Sequence, residues 1–228
     1  MVAYGAAQFT RDADFWIKPT KKNLVCLQKA LKQLKAKPRF LPPLDIEYLR
    51  KGHGVHFRFT YREQTFLIDI LGKPPRVIPN FNQAYKDANH IEWHELSVPV
   101  IDIKRLIATK KTERDKDYTV IKDLVDLLFE EVRSNRSQRK KFLTWLLQEL
   151  RTPKYLKTIT REWEYGKQYA LKTGREAAIL ACSKNATEEE IQAALDKEKE
   201  ILRKADKQYW KPIRNEIKIM RQEHRKRK

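Results

Sequence analysis

The chain holds two cysteines, two methionines and six glycines in 228 residues, and no apolar run of the roughly 18 residues that a membrane span needs. Cys26 and Cys182 cannot build a disulfide framework or a four-thiolate zinc site. The first ten residues lack the basic-then-apolar pattern of a secretory leader. No segment repeats, and the one biased tract is a basic tail over residues 224–228. A disulfide-stapled secreted scaffold and a helical membrane protein are thereby excluded. The expectation is a cytoplasmic protein with no membrane partner.

Positive charge is plentiful. Lys and Arg number 49 against 30 Asp and Glu, a net charge of +19. Apolar residues make up 41% of the chain, enough to build a core at this length, so wholesale disorder is not expected. The charge is uneven: residues 135–228 carry 25 basic and 13 acidic side chains, and residues 1–134 carry 24 and 17. Texture changes at the same place, from short β-type runs with most of the prolines to long, charged, helix-like stretches. Two parts are expected, 1–132 and a basic helical 133–228, in an α+β fold with a mixed sheet in the first part.

Residues 12–17 alternate as a strand, with Asp12, Asp14 and Trp16 on one face and Ala13, Phe15 and Ile17 on the other. Leu24, Leu27, Leu31 and Leu34 give a helix over 21–35, with Thr20 as N-cap. Residues 55–61 and 65–71 read as a hairpin whose turn at Arg62-Glu63-Gln64 lacks the usual glycine. A short strand is expected at 96–100, then two helices or one kinked helix over 103–128. Further helices are expected near 137–150, 153–172, 187–204 and 206–226, with a capping box at Thr187 and Glu190 and a break at Pro212.

Asp12 and Asp14 lie two apart on a strand, so their carboxylates share a face with Cα atoms about 6–7 Å apart. Two such charges repel by roughly 3 kcal/mol at an effective dielectric of about 20. A fold keeps the pair for a divalent metal, which takes carboxylate oxygens together with substrate phosphates, or lets both face water. Asp69 sits between Ile68 and Ile70 in an apolar strand, where an unpaired charge is costly. Three carboxylates on neighbouring strands would suit two metals and in-line nucleotidyl transfer. From spacing alone the solvated reading stays open. Asp45 and Glu47 follow two prolines and read as a solvated loop or strand edge. The histidines have no spacing that argues for zinc.

Residues 4–17, YGAAQFTRDADFWI, resemble the signature of the nucleotidyltransferase superfamily, whose fold is shared with DNA polymerase β. The strand FLIDIL resembles its third-carboxylate strand, and residues 98–128 its later segment with a Lys, an Arg and Lys-Asp before a helix. The residues are similar to those of small bacterial members, including abortive-infection type toxin nucleotidyltransferases. The resemblance spans residues 3–130. It implies that Asp12, Asp14 and Asp69 hold two Mg²⁺ ions and do the catalysis, with an NTP as substrate. It further implies that Gly5, Thr10, Arg11 and Lys110 bind the nucleotide. For Lys110 an ordinary surface lysine is the competing reading. Arg114 and Asp117 resemble family positions, with a structural ion pair as their expected role. The family opens with a helix and a Gly-Gly or Gly-Ser pair before Asp-x-Asp. Here Gly5 is the one glycine before Asp12, so that helix reads as truncated.

The implied activity is Mg²⁺-dependent transfer of a nucleoside monophosphate from NTP to a hydroxyl of RNA, such as tRNA, or of protein. A cognate antitoxin is the implied protein partner. The alternative is a degenerate domain acting as a basic module that binds nucleic acid or a partner. An antibiotic-modifying enzyme of the same fold would want an acidic pocket, which the charge disfavours. In the basic second part Trp145, Tyr155, Trp163, Tyr165, Tyr169, Tyr209 and Trp210 suit either base stacking or a helical core.

Overall fold

A computed structural model describes residues 4–5, 10–78 and 80–226. It is α+β. Packing divides the chain into two compact units: Lys110–Lys207, and the residues up to Thr109 together with Gln208–Lys228.

The sheet-bearing unit starts with β1 (Asp12–Trp16), α1 (Lys21–Gln33), β2 (Lys37–Pro38), α2 (Ile46–Lys51), β3 (Gly54–Tyr61) and β4 (Gln64–Leu71). The four strands form one mixed sheet in the order β1-β4-β3-β2. β1 runs parallel to β4, while β3 is antiparallel to both β4 and β2. Alternation decides what each face does. Val55 and Phe57 of β3 and Ile68 and Ile70 of β4 turn to one side, where they pack with Leu31 of α1 and Leu49 of α2. The opposite face carries Asp12, Asp14, His56, Arg58 and Asp69, with Leu67 and Leu71 among them. Thr20 caps α1 as expected, its hydroxyl accepting from the Asn23 amide. The β3–β4 hairpin turns on Arg62 and Glu63, both at positive φ (46° and 64°), the conformation of a two-residue primed turn built without glycine.

After β4 come α3 (Phe81–Lys86), the two-stranded antiparallel ribbon β5 (Asn89–Trp93) and β6 (Leu96–Val100), and α4 (Ile103–Lys110). Of these, α3 and β5 were not anticipated, nor were β2 and α2. Asp45 is neither a strand edge nor a free loop carboxylate: it caps α2, accepting from the Glu47 amide at 2.7 Å.

The helical unit contains α5 (Asp115–Arg133), α6 (Arg136–Glu149), α7 (Pro153–Glu162), α8 (Gly166–Lys172), α9 (Glu176–Ala181) and the first part of α10 (Glu188–Lys226). The helix expected over 153–172 is two helices. The chain turns at Tyr165, which takes a left-handed φ of 63°. Conversely, the two helices expected over 187–226 are one. Pro212 removes an interior hydrogen bond yet does not end α10. The helix is anchored on both sides of it, by buried Ile191, Ala194, Leu195 and Asp206 before and by Glu216 after, which bonds to His53 and Lys51. The capping box at its start is present in both directions: Thr187 N–H to Glu190 at 2.8 Å, and Glu190 N–H to the Thr187 hydroxyl at 3.2 Å.

Candidate active site

The register of the sheet brings the acidic residues together. Asp14 of β1 lies directly opposite Asp69 of β4, and Asp12 lies opposite Leu67. Because partners in register share a face, Asp12, Asp14 and Asp69 all project from the side away from the core formed on Ile68 and Ile70. Asp12 and Asp14 are exposed and Asp69 is half-buried. Asp69 is therefore not a charge sunk into an apolar strand. Its neighbours along the chain face the core while it faces out.

The next strand adds a residue that sequence reasoning left without a role. His56 of β3 is opposite Asp69, and its Nδ1 lies 2.7 Å from Asp69 Oδ1. Asp14, Asp69 and His56 thus form a row across three adjacent strands. The row continues in a basic direction, since the Arg39 amide donates to the His56 carbonyl at 2.9 Å. The parallel row runs Asp12, Leu67, Arg58, Lys37, with Arg58 opposite Lys37. The exposed ring of Phe40 lies beside this end, under the Arg39 guanidinium at 4.8 Å and edge-on to His56 at 6.1 Å. One face of the sheet therefore passes from carboxylates at β1 to cations at β2. A strand histidine carries no spacing motif. Only the β3–β4 register, readable once the Arg62-Glu63 turn is accepted, would have placed it.

The residues expected to meet the nucleotide are distributed as follows. Thr10 fixes the entry to β1: its hydroxyl accepts from the Asp12 amide at 3.1 Å. Arg11 is exposed, and its carbonyl accepts from Leu67 N–H at 2.9 Å. Gly5 sits at φ +73°, and an added Cβ there would meet nothing within 4 Å among the described residues. Beside it Tyr4 donates to the Ile101 carbonyl at 2.6 Å and accepts from Asn89, and burial pushes its phenol up from the usual tyrosine value. Residues 6–9 of the signature, and the expected opening helix, lie outside the described residues. Lys110 is the last residue of α4 and falls in the helical unit. Lys111 pairs with Glu149 at 2.7 Å, both largely buried. Arg114 and Asp117 do form a structural ion pair at 2.8 Å, and the Thr112 hydroxyl donates to the same carboxylate.

In the helical unit most of the interleaved aromatics are packed rather than displayed. Phe129, fully buried, stacks on Tyr155 at 4.3 Å and on Trp163 at 5.6 Å. Tyr165 and Tyr169 are exposed.

The oxygen-only donor set of Asp12, Asp14 and Asp69 suits Mg²⁺ in kind. Among the described residues, however, no three His, Cys, Asp or Glu side chains are gathered into a group that could hold a metal ion. The two observations are compatible, because Mg²⁺ is commonly held by one or two carboxylates with substrate phosphates and water completing the octahedron.

A mixed sheet that presents carboxylates from two adjacent parallel strands, with helices behind its other face, has the outline of a nucleotidyltransferase. The family itself comes from comparison with family models. Residues 1–218 match the family described as nucleotidyl transferase AbiEii toxin, Type IV TA system, and the chain belongs to that family. No curated protein and no solved structure matches it.

Proposed function

We propose that this protein transfers a nucleoside monophosphate from an NTP to a hydroxyl acceptor in a Mg²⁺-dependent reaction. The observation that supports it most is the register that sets Asp14 against Asp69, with Asp12 on the same face. In this reading Asp12 and Asp14 hold the metal and the triphosphate. Asp69 completes the site and takes the proton of the acceptor hydroxyl. The hydroxyl oxygen attacks the α-phosphorus while the bond to the β-phosphate oxygen breaks and pyrophosphate leaves. The metal, when bound, neutralises charge developing on the phosphate oxygens. Thr10 and Arg11 border the triphosphate, with Gly5 upstream of them.

The acceptor is proposed to be RNA, such as tRNA. Support comes from the basic end of the carboxylate face, where Lys37, Arg39 and Arg58 suit a phosphate backbone and exposed Phe40 offers a stacking surface. A protein hydroxyl is the other acceptor to test, and a cognate antitoxin is the proposed regulator. The second reading, a binding module without catalysis, draws on the lack of a preassembled three-carboxylate group among the described residues.

The test is transfer of label from each of four α-labelled NTPs, with Mg²⁺, to total tRNA or protein extract. Wild type and Asp69→Asn are run side by side. Label in the RNA fraction that Asp69→Asn abolishes supports the proposal. Label in protein moves the acceptor. No label in either fraction, with no NTP binding, leaves the module.

A further inference from the structure

We infer that His56 is a positioning residue of the carboxylate site, fixing the rotamer of Asp69 so that one carboxylate oxygen is presented to the reaction. The inference rests on the reading of Asp69 given above. It has three supports in the structure. First, His56 and Asp69 are direct cross-strand partners, so the two side chains leave the same face at adjacent points of the sheet. Secondly, Nδ1 of the imidazole lies 2.7 Å from Asp69 Oδ1, a hydrogen-bond distance at which an Nδ1–H would be aimed at that oxygen. The bond engages Oδ1, and in this inference Oδ2 goes to a metal or an acceptor. Thirdly, the ring itself is held. Phe40 stands edge-on to it at 6.1 Å and 74°. The ring also lies near Gly54, where an added Cβ would meet ring atoms Cε1 and Nε2 at 3.4 Å.

Stability is a poor explanation for the pair. Both side chains are about a third exposed (37% and 33%), and exposed ion pairs contribute little to folding. Orientation of a ligating carboxylate by a hydrogen-bonded neighbour is a different matter, since loss of such a partner commonly costs about 10–100-fold in metal affinity or activity. The geometry here is that of an oriented carboxylate on a rigid strand.

The experiment uses the full chain and three variants, His56→Leu, His56→Asn and Asp69→Asn. Asn at 56 can place its amide N–H near the position of Nδ1, whereas Leu cannot. Mn²⁺ binding with a non-hydrolysable NTP analogue is read by electron paramagnetic resonance, label transfer gives kcat and KM, and thermal melting reports folding. The expected result is a kcat about 10–100-fold lower in His56→Leu, Mn²⁺ affinity at least about tenfold weaker, a KM for NTP within about twofold of wild type and an unchanged melting temperature. His56→Asn should recover most of both losses. His56→Leu with wild-type kcat and Mn²⁺ affinity overturns the inference. So does His56→Asn as impaired as His56→Leu at equal melting temperature, because then the hydrogen bond is not what matters. If wild type transfers no label, the transferase reading fails separately. The Mn²⁺ titration still decides on His56, by whether His56→Leu follows Asp69→Asn in losing metal. A wild-type chain that binds no Mn²⁺ with the analogue overturns both.

Discussion

Gly166→Ala should unfold the helical unit at markedly lower denaturant. Gly166 begins α8 close against the backbone of α7 at Ile159 and Thr160. A Cβ placed on it would lie 1.9 Å from the Ile159 carbonyl oxygen, 2.8 Å from its carbon and 3.3 Å from the Thr160 Cα. An ordinary carbon–oxygen contact needs about 3.2 Å or more, so the overlap exceeds an ångström. The obstruction is backbone, which no rotamer change relieves. The two helices must separate by about that distance, and the fully buried Ile159, Leu156 and Ala170 lose contact as they do. Overpacking in a tight core costs typically about 1–3 kcal/mol. Here the backbone obstruction and the cavity that opens place the cost at the top of that range or above it, near about 3 kcal/mol. Gly54→Ala is the control, since its nearest neighbours would stand at 3.4 Å. It should change stability by less than about 1 kcal/mol. Urea unfolding followed by tryptophan fluorescence, with Trp163 in the affected unit, gives both values. If Gly166→Ala has a midpoint like wild type, the close approach of α7 and α8 is wrong.

Phe129→Leu keeps most of the buried volume but removes two ring pairs, with Tyr155 and Trp163. At about 0.5–1.5 kcal/mol for each pair, unfolding should become easier by about 1–3 kcal/mol, measurable in the same titration. Glu216 should give the protein an acid-sensitive component of stability. The hydrogen bonds from His53 and then from Lys51 hold its carboxyl below the usual glutamate range. A depressed folded-state value means that the stabilisation is fully present above the unfolded carboxyl's value and is lost as pH falls through the folded one. Melting temperature against pH should fall less steeply on the acid side in Glu216→Gln than in wild type, and parallel curves would refute this.

Several parts of this fold were legible from residue order because each rests on a local period. The β3 and β4 strands alternate over eight residues, enough to reveal both faces and to survive a turn with no glycine. The same alternation put Asp12 and Asp14 on one side before any partner strand was known. What could not be read was short or relational. α2, α3 and α9 have six residues each, fewer than two turns, so no periodic stripe develops. β2 has two residues and exists only because β3 pairs with it. His56 belongs to the same class: its importance comes from the residue across the ladder, not from its neighbours in sequence. Pro212 misled for another reason. A proline rule is local, whereas α10 is held by buried contacts before that position and by Glu216 after it.

Position on the sheet gives the Asp-x-Asp pair a second physical meaning, and the two can be separated. Among the described residues β1 has β4 on one side and no strand on the other. It is also exposed along most of its length, Phe15 included at 49%. A bare strand of this kind invites pairing with another copy, and charged side chains on an edge are a common defence. Asp12 and Asp14 could serve that purpose alone. The double variant Asp12→Asn, Asp14→Asn discriminates. Loss of edge protection should convert monomer to larger species on size-exclusion chromatography, more so at higher concentration, while any monomer recovered keeps full label transfer. Loss of a metal and triphosphate site should leave the elution unchanged and reduce transfer by the monomer at least about a hundredfold, the scale seen when preorganised charge stabilisation is removed. Both roles together predict both changes. A monomeric double variant with wild-type transfer would refute each of them, and with them the assignment of β1 as the strand that carries the chemistry.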